Sequence, residues 1–239
     1  MRRIVRTTLA LLALAVPLPA AAASTPPTLT VTGVGTLERT PDRAVVTFDI
    51  VTNDDRAAVA TSANNTVYAT LGAKLAALGV TAAELRTLSY SVAFVPRPAQ
   101  PNPEFAQRYG YVATRRFGVT TDALGSVGAL IDAGVAAGAT SVEGVTFELR
   151  DERAAQRDAL VAAVADADAQ AAAVVGAAHV HLARIASIEI GGSPQVIRPL
   201  TFQASMLRSA SAAAPVPTEI QPSSLSVRAT VSIVYDLAP

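Results

Sequence analysis

The chain contains no cysteine and no tryptophan, and its 239 residues include only two histidines and a single lysine, Lys74. The absence of cysteine excludes disulfides, thiolate metal sites, a cysteine nucleophile and a lipoprotein anchor. Two histidines leave little material for metal binding or acid–base catalysis. These absences favour a protein that works without a cofactor and is not an enzyme.

The composition is nevertheless that of a folded protein, because 51% of the residues are hydrophobic and 19 basic residues balance 19 acidic ones. Loss of the three arginines near the N-terminus, Arg2, Arg3 and Arg6, would leave 16 basic residues against the 19 acidic ones. Nucleic-acid binding needs clustered positive charge, so this mildly acidic chain is not expected to bind nucleic acid.

Residues 1–23 show the three parts of an export signal. The three arginines form a basic start, residues 9–16 are apolar, and residues 20–23 offer small side chains in the spacing that signal peptidase recognises. The apolar run is shorter than the roughly 20 residues that span a bilayer. We therefore expect cleavage near residue 23 and a periplasmic or secreted protein that does not span the membrane. The Sec and twin-arginine export routes both stay open.

Hydrophobic periodicity predicts an α+β fold in residues 28–150. Alternation places Val46, Phe48 and Ile50 on one face of a strand, and Leu88, Tyr90, Val92 and Phe94 on one face of another. A helix is predicted from Val59 to Leu78, capped by Asp54 or Asp55 and ended by Gly79. Its apolar face recurs at spacings of three and four: Val59, Ala63, Val67, Leu71, Leu75 and Leu78. After the first strand at residues 29–37, the order is strand, helix, strand, strand, helix, strand. This is the split βαβ order of ferredoxin-like antiparallel sheets packed by helices.

Residues 151–239 are predicted to add a long third helix and C-terminal strands. The helix begins at Asp151, and its apolar stripe is expected to include Leu160, Val164, Ala171, Val174 and Ala178. Strands follow at residues 184–190 and 225–236. We therefore interpret residues 24–239 as one domain with two parts, 28–150 and 151–239.

Two proline-rich segments, residues 96–107 and 193–223, are too long for tight turns. They carry isolated apolar residues: Phe105, Leu200, Phe202, Met206 and Leu207. An exposed loop has little reason to keep such residues, so we expect these segments to contact other chains.

The order and spacing of several short motifs, over about residues 28–237, resemble the SIMPL-domain family of bacterial secreted or periplasmic proteins, which includes the periplasmic immunogenic proteins. The motifs are Val31-Thr32-Gly33-Val34-Gly35, Pro41-Asp42-Arg43-Ala44, Tyr109-Gly110-Tyr111, Gly138-Ala139, Gly144-Val145-Thr146-Phe147, the helix with Ala163, Asp166 and Ala167, Ile220-Gln221-Pro222, and Val227-Arg228-Ala229-Thr230-Val231. One departure is Ser223-Ser224, where the family pattern has a glycine. The resemblance implies a self-associating envelope protein, linked to stress protection or signalling, without assigned catalytic residues.

The chemistry-bearing residues give weak site candidates. His179 and His181 would face one way on a strand and could share a metal with Glu189, although a helix end with two exposed histidines explains them as well. Asp166 and Asp168 would point about 200° apart on a helix, which argues against shared acid–base work.

Three further patterns argue against common activities. Gly33-Val34-Gly35 lacks the third glycine and the helix of a dinucleotide loop. No serine has the nucleophile-elbow spacing of a hydrolase. Asn64-Asn65-Thr66 matches a glycosylation sequon inside a predicted helix.

The strands predicted on either side of residues 96–107 form a hairpin, and its aromatic residues belong either to the core or to a binding face. They are Tyr90, Phe94, Tyr109, Tyr111 and Phe117. The leading hypothesis is an exported, non-enzymatic envelope protein that acts by forming homo-oligomers or by binding an envelope protein partner, with a role in envelope or oxidative stress protection. The alternative is a periplasmic protein that binds a small ligand or a metal.

Overall fold

The computed structural model of the chain describes residues 26–97, 108–197 and 218–238. Within these ranges the chain forms eight strands and three helices. In chain order they are β1 (Thr28–Arg39), β2 (Arg43–Asp54), α1 (Ala57–Ala77), β3 (Leu85–Val95), β4 (Gly110–Thr121), α2 (Val127–Ala136), β5 (Ser141–Glu148), α3 (Glu152–Ala178), β6 (His181–Ile190), β7 (Gln195–Ile197) and β8 (Leu225–Ala238). A single 3-10 turn, Leu124–Ser126, leads into α2.

Strands β2 to β5 with α1 and α2 make up what we call the ferredoxin-like half. Its strand order is β3-β4-β2-β5, and all neighbours are antiparallel. The predicted α+β class and the split βαβ order are therefore confirmed. The alternating residues of β2, Val46, Phe48 and Ile50, are fully buried beneath the helices, and Phe48 stacks on Phe117 with 5.4 Å between the ring centroids.

Strands β1, β6, β7 and β8 with α3 make up the α3 half. The sheet order is β1-β8-β6, and β7 also pairs with β8. The predicted grouping of β1 with residues 28–150 is wrong, because β1 pairs along its whole length with β8, from Thr28 opposite Asp236 to Arg39 opposite Leu225. The ferredoxin-like half is thus inserted in the chain between β1 and α3.

Helix α3 lies on β1 and β8 through alanines, so the predicted stripe is confirmed at Ala171 and wrong at Val174 and Ala178, which are exposed. Its buried residues are Ala155, Ala159, Ala163, Ala167 and Ala171. Leu160 and Val164 are only half-buried beside this row. The cause is on β1: a Cβ added at Gly33 would lie 2.0 Å from the carbonyl oxygen of Ala163. The helix backbone therefore rests directly on the strand, and only alanine fits between them.

Helix α1 follows its prediction in part. Its stop at Gly79 is confirmed, since this glycine has a φ of 90°. The N-cap position is Arg56, whose N–H donates to Asp54. The predicted apolar face is wrong at Ala63 and Leu78, which are exposed, while Asn64 is fully buried.

By length and composition alone, α3 is also the one helix among the described residues that could cross a membrane. Its alanine row lies against β1 and β8, and core helices of soluble proteins have the same properties. The composition of α3 is therefore weak evidence for a membrane span.

Several predictions concern residues outside the described ranges. They are the signal peptide at 1–23 and the apolar residues of 98–107 and 198–217. Within the second proline-rich segment the structure shows the short strand β7, which pairs Gln195–Ile197 with residues 226–228 of β8.

Candidate functional site

The outer edge of β1 is closed by α3. The carboxylate of Asp166 accepts a hydrogen bond of 2.8 Å from the backbone N–H of Val34. The amide of Gln170 donates to the carbonyl of Thr32 at 3.1 Å and to Asp166 at 2.9 Å. One turn of α3 thus satisfies a backbone donor and a backbone acceptor that an edge strand would otherwise leave unpaired.

The opposite edge of the same sheet, formed by β6, is open. Among the described residues, strand β6 pairs only with β8, and every one of its ten residues is exposed. Apolar side chains stand among them, with Ile188 at 54% and Ile190 at 58% exposure. Helix α3 packs over β1 and β8 and hardly reaches β6, so most of β6 has no helix above it among the described residues. Such an edge presents both apolar surface and unpaired backbone groups.

Two opposite charges lie on the face of β6 that points away from α3. Arg184 binds the buried carboxylate of Asp236 at 2.7 Å, yet its side chain remains 73% exposed. Glu189 forms no hydrogen bond or ion pair with any described residue. The β6 edge therefore carries one positive group and one negative group that has no partner among the described residues.

Strand β3 gives the ferredoxin-like half a second open edge. The predicted alternation of Tyr90, Val92 and Phe94 is present, but these side chains are exposed, with Phe94 at 61%. Leu88 lies at a register shift and is exposed as well. This face is uncovered because α1 lies over β2 and β4 and hardly reaches β3.

The hairpin aromatics divide between core and surface. Phe117 is buried in the core. Tyr90 and Phe94 of β3, together with Tyr111 of β4, form an exposed aromatic patch. Phe94 and Tyr111 meet edge to face at 5.2 Å. The guanidinium of Arg115 lies over the ring of Tyr90 at 4.7 Å. Tyr and Arg are enriched where protein surfaces bind strongly, so this patch suits a protein contact.

Arg115 also connects the aromatic patch to α1. Its guanidinium lies 4.4 Å from the ring of Tyr68, and its Nε donates to Asn64 at 3.0 Å. The Asn64 amide in turn donates to the carbonyls of Ile50 and Ala113. Because this amide is buried and bonded on both sides, the sequon at Asn64 is a packing feature and is closed to a glycan.

A cluster that the sequence analysis missed lies on the sheet face without helices. Arg116 forms two hydrogen bonds with Asp49, at 2.8 and 2.7 Å, and reaches Glu143 at 3.2 Å. The hydrogen bonds and charge of Asp49 raise the pKa of Arg116 above its usual range. The charged pattern of β2 and β4 contained this signal, since Asp49 is opposite Arg116 in the register. The cluster is an internal ion pair and leaves neither acid nor base free.

The candidate carboxylates and histidines remain apart. Asp166 binds β1, whereas Asp168 accepts a hydrogen bond from the hydroxyl of Tyr235 on β8. Their predicted separation is therefore confirmed. Burial and this hydrogen bond raise the pKa of Tyr235 to about 12.

His179 ends α3 in the left-handed conformation, and His181 opens β6. Both are exposed, as in the helix-end interpretation. Glu189 lies eight residues farther along β6, about 25 Å at the usual rise of a strand, so it cannot share a metal with them. No group of three His, Asp or Glu residues that could hold a metal occurs within residues 26–97, 108–197 and 218–238.

A protein-family comparison decides the relationship that the motifs suggested. The family model named SIMPL, described as a protein of unknown function (DUF541), matches residues 29–235. The chain belongs to the SIMPL family. No curated protein matches the chain. The SIMPL match extends across both halves, so β3 and β6 both lie inside the family domain.

The SIMPL motif residues have structural roles in the fold. Gly33 and Gly35 admit α3 against β1. Gly110, with a φ of 80°, starts β4 where a Cβ would lie 2.6 Å from the carbonyl oxygen of Asp54. Asp42 accepts a hydrogen bond from the backbone N–H of Arg150, which joins the start of β2 to the start of α3. These motifs account for the fold, and the open edges are left as the candidate functional surfaces.

Proposed function

We propose that this protein is an exported, non-enzymatic component of the bacterial cell envelope that acts by assembling with further copies of itself. The observation that carries the proposal is the pair of open strand edges, β3 and β6, whose apolar residues are exposed. Long apolar edges of this kind are sites of strand pairing between chains, and monomeric proteins normally protect them. In the same molecule, side chains of α3 cap the edge of β1, so β3 and β6 differ from an edge that the chain itself protects.

Export is the second part of the proposal, and it is supported by the tripartite segment at residues 1–23. N-terminal sequencing of protein recovered from the periplasm or medium should start near residue 24. Recovery of chains that begin with Met1 would contradict export through a cleaved signal. Envelope or oxidative stress protection is the physiological setting that SIMPL membership suggests, and a deletion strain's survival of oxidants would test it.

The native mass of the mature chain tests self-assembly directly. Light scattering over a wide concentration range should give a mass that rises above that of one chain. A monomer at every concentration would overturn the assembly proposal and favour binding to a different envelope protein.

A second candidate function, small-ligand or metal binding, is supported by one groove. It has a volume of about 530 Å³, lies between the end of α3 and the start of β6, and is lined by both histidines with Val175 and Leu182. Its volume is within the range of ligand sites, although the groove is wide open to solvent. Stoichiometric zinc or copper that is lost in the double variant His179→Ala, His181→Ala would support this function, and the absence of bound metal would remove its metal form.

A further inference from the structure

Strand β6 carries a self-complementary pattern of charge and apolar side chains. We propose that β6 pairs antiparallel with β6 of a second copy of this chain about a two-fold axis, with Arg184 opposite Glu189 and Ile185 opposite Ile188. This inference rests on the proposed self-assembly and identifies the surface and register that would serve it.

The pairing is isologous, as in most soluble dimers. In a two-fold antiparallel pair, each contact between residues i and j occurs twice. The register that places Arg184 opposite Glu189 of the second copy therefore also places Glu189 opposite Arg184. Opposite charges facing each other across two strands stabilise the pair, whereas like charges destabilise it.

In this register, Arg184 and Glu189 lie on the same face of the sheet because β6 is irregular. In a regular strand, Arg184 and Glu189 would point to opposite faces, since they are five positions apart. The pairing with β8 shifts between Ile185 and Ser187, so that Arg184 is opposite Asp236 and Glu189 is opposite Ser232. Residues 236 and 232 share a face of β8, so Arg184 and Glu189 share the face away from α3.

The same shift places the isoleucines together on the other face. Ile185 is opposite Tyr235 and Ile188 is opposite Ile233, and both of these β8 residues are buried beneath α3. In the proposed register, Ile185 and Ile188 of the two copies form a cluster of four side chains. Both α3 helices then lie on the same side of a continuous sheet, and the isoleucines that are half exposed in one chain are covered by the other.

Arg184 can serve both its own chain and the second copy. A guanidinium has five N–H donors, and the contact with Asp236 at 2.7 Å uses one nitrogen while most of the side chain stays exposed. Glu189 lacks a partner among the described residues. The pairing supplies Glu189 with that partner and leaves the bond to the buried Asp236 in place.

Strand β3 does not specify a register in this way. Its regular stretch, residues 89–95, contains no charged residue, so shifted pairings would differ little in electrostatic energy. The charges of β6 select one register out of several, which is why the structure assigns β6 to the contact between identical copies.

Charge reversal tests the pairing in the mature, full-length chain. Glu189→Arg places two arginines opposite each other at both ends of the pair, and we expect the dissociation constant of the β6 contact to rise by about tenfold or more. Glu219→Arg is the matched control, because Glu219 is exposed and lies outside every strand. It changes the net charge by the same amount, and its mass distribution should be the same as that of the wild type.

Cysteine cross-linking gives a second readout that does not depend on the charge variants. The chain has no cysteine of its own, so introduced thiols report without background. When Ile185→Cys protein is mixed with Ile188→Cys protein and oxidised, a disulfide-linked dimer should form, since directly opposite side chains come within reach of a disulfide. Each variant alone should cross-link much less.

The outcomes separate this inference from the proposed function. A monomeric wild type overturns both the β6 pairing and the proposed self-assembly. An oligomeric wild type that neither dissociates in Glu189→Arg nor cross-links in the mixture overturns the β6 pairing and leaves self-assembly standing. Two results together support the pairing. Glu189→Arg loses association whereas Glu219→Arg does not, and the mixture of Ile185→Cys and Ile188→Cys proteins forms the disulfide-linked dimer.

Discussion

The two edges of the β1-β8-β6 sheet are finished in different ways. At β1, side chains of α3 bind the strand backbone, and glycines bring the helix close enough to do so. At β6, the helix makes few contacts and every residue is exposed. One helix thus closes one edge and leaves the other open. The difference shows that the same sheet has one edge whose backbone groups find partners within the chain and one edge whose partner, as we propose, is another copy.

The largest effect is expected from a charge placed between α3 and β1. Ala163 is fully buried beneath the β1 glycines, so Ala163→Asp would bury a carboxylate without a partner and lower the free energy of unfolding by about 4 kcal/mol. Urea denaturation measures the loss. The matched control is Leu160→Asp, whose half-buried site beside the alanine row should cost about half as much. Equal losses in both variants would contradict the alanine contact as the buried face.

The next effect concerns the close approach of the helix. Gly33→Ala introduces a Cβ 2.0 Å from a backbone oxygen, which forces α3 away from β1 and should cost about 3 kcal/mol. Gly176→Ala is the control on α3 itself, because an added Cβ there meets nothing within 4 Å. It should stabilise the helix by up to about 1 kcal/mol. Thermal unfolding that ranks the two variants the other way would show that the glycine of β1 is not required for packing.

A smaller effect isolates the cap on the β1 edge. Asp166→Ala removes the acceptor of the Val34 N–H, and we expect a loss of about 1.5 kcal/mol together with faster hydrogen exchange of that amide. The control is Asp158→Ala, which removes an exposed ion pair with Arg39 and should change stability by less than about 0.5 kcal/mol. An unchanged exchange rate at Val34 in Asp166→Ala would mean that the edge is not closed by this carboxylate.

The local pattern of the sequence predicted the elements well, because periodicity is a property of neighbouring residues. The alternation in β2 identified Val46, Phe48 and Ile50 as core, and all three are buried. The same alternation in β3 placed Tyr90, Val92 and Phe94 on one face, and that face is exposed. Alternation shows that a strand has an apolar side, but only the position of a helix decides whether that side is covered.

The pairing of β1 with β8 and the contact row of α3 depend on residues far apart in the chain. Larger apolar residues drew the predicted stripe toward Leu160 and Val164, although alanines recur at every fourth position from Ala155 to Ala171. Two glycines in β1 were the matching signal, since they mark where another backbone comes close. The open edges could not be predicted from one sequence, because exposure of an edge is set by sheet order.

The smallest effect concerns Tyr235, which lies on β8 between the two edges and donates to Asp168 of α3. Burial first, and this hydrogen bond second, raise its pKa from 10.0 to about 12, so the fold favours the neutral phenol. The associated stability is fully present below about pH 10 and is lost as the pH rises toward 12. Tyr235→Phe should therefore cost about 1 kcal/mol at neutral pH, and its deficit relative to wild type should shrink above pH 10. Urea denaturation at both pH values measures this, with the exposed Tyr111→Phe as control. A deficit that stays constant with pH would show that α3 is held on β8 without help from the protonated phenol.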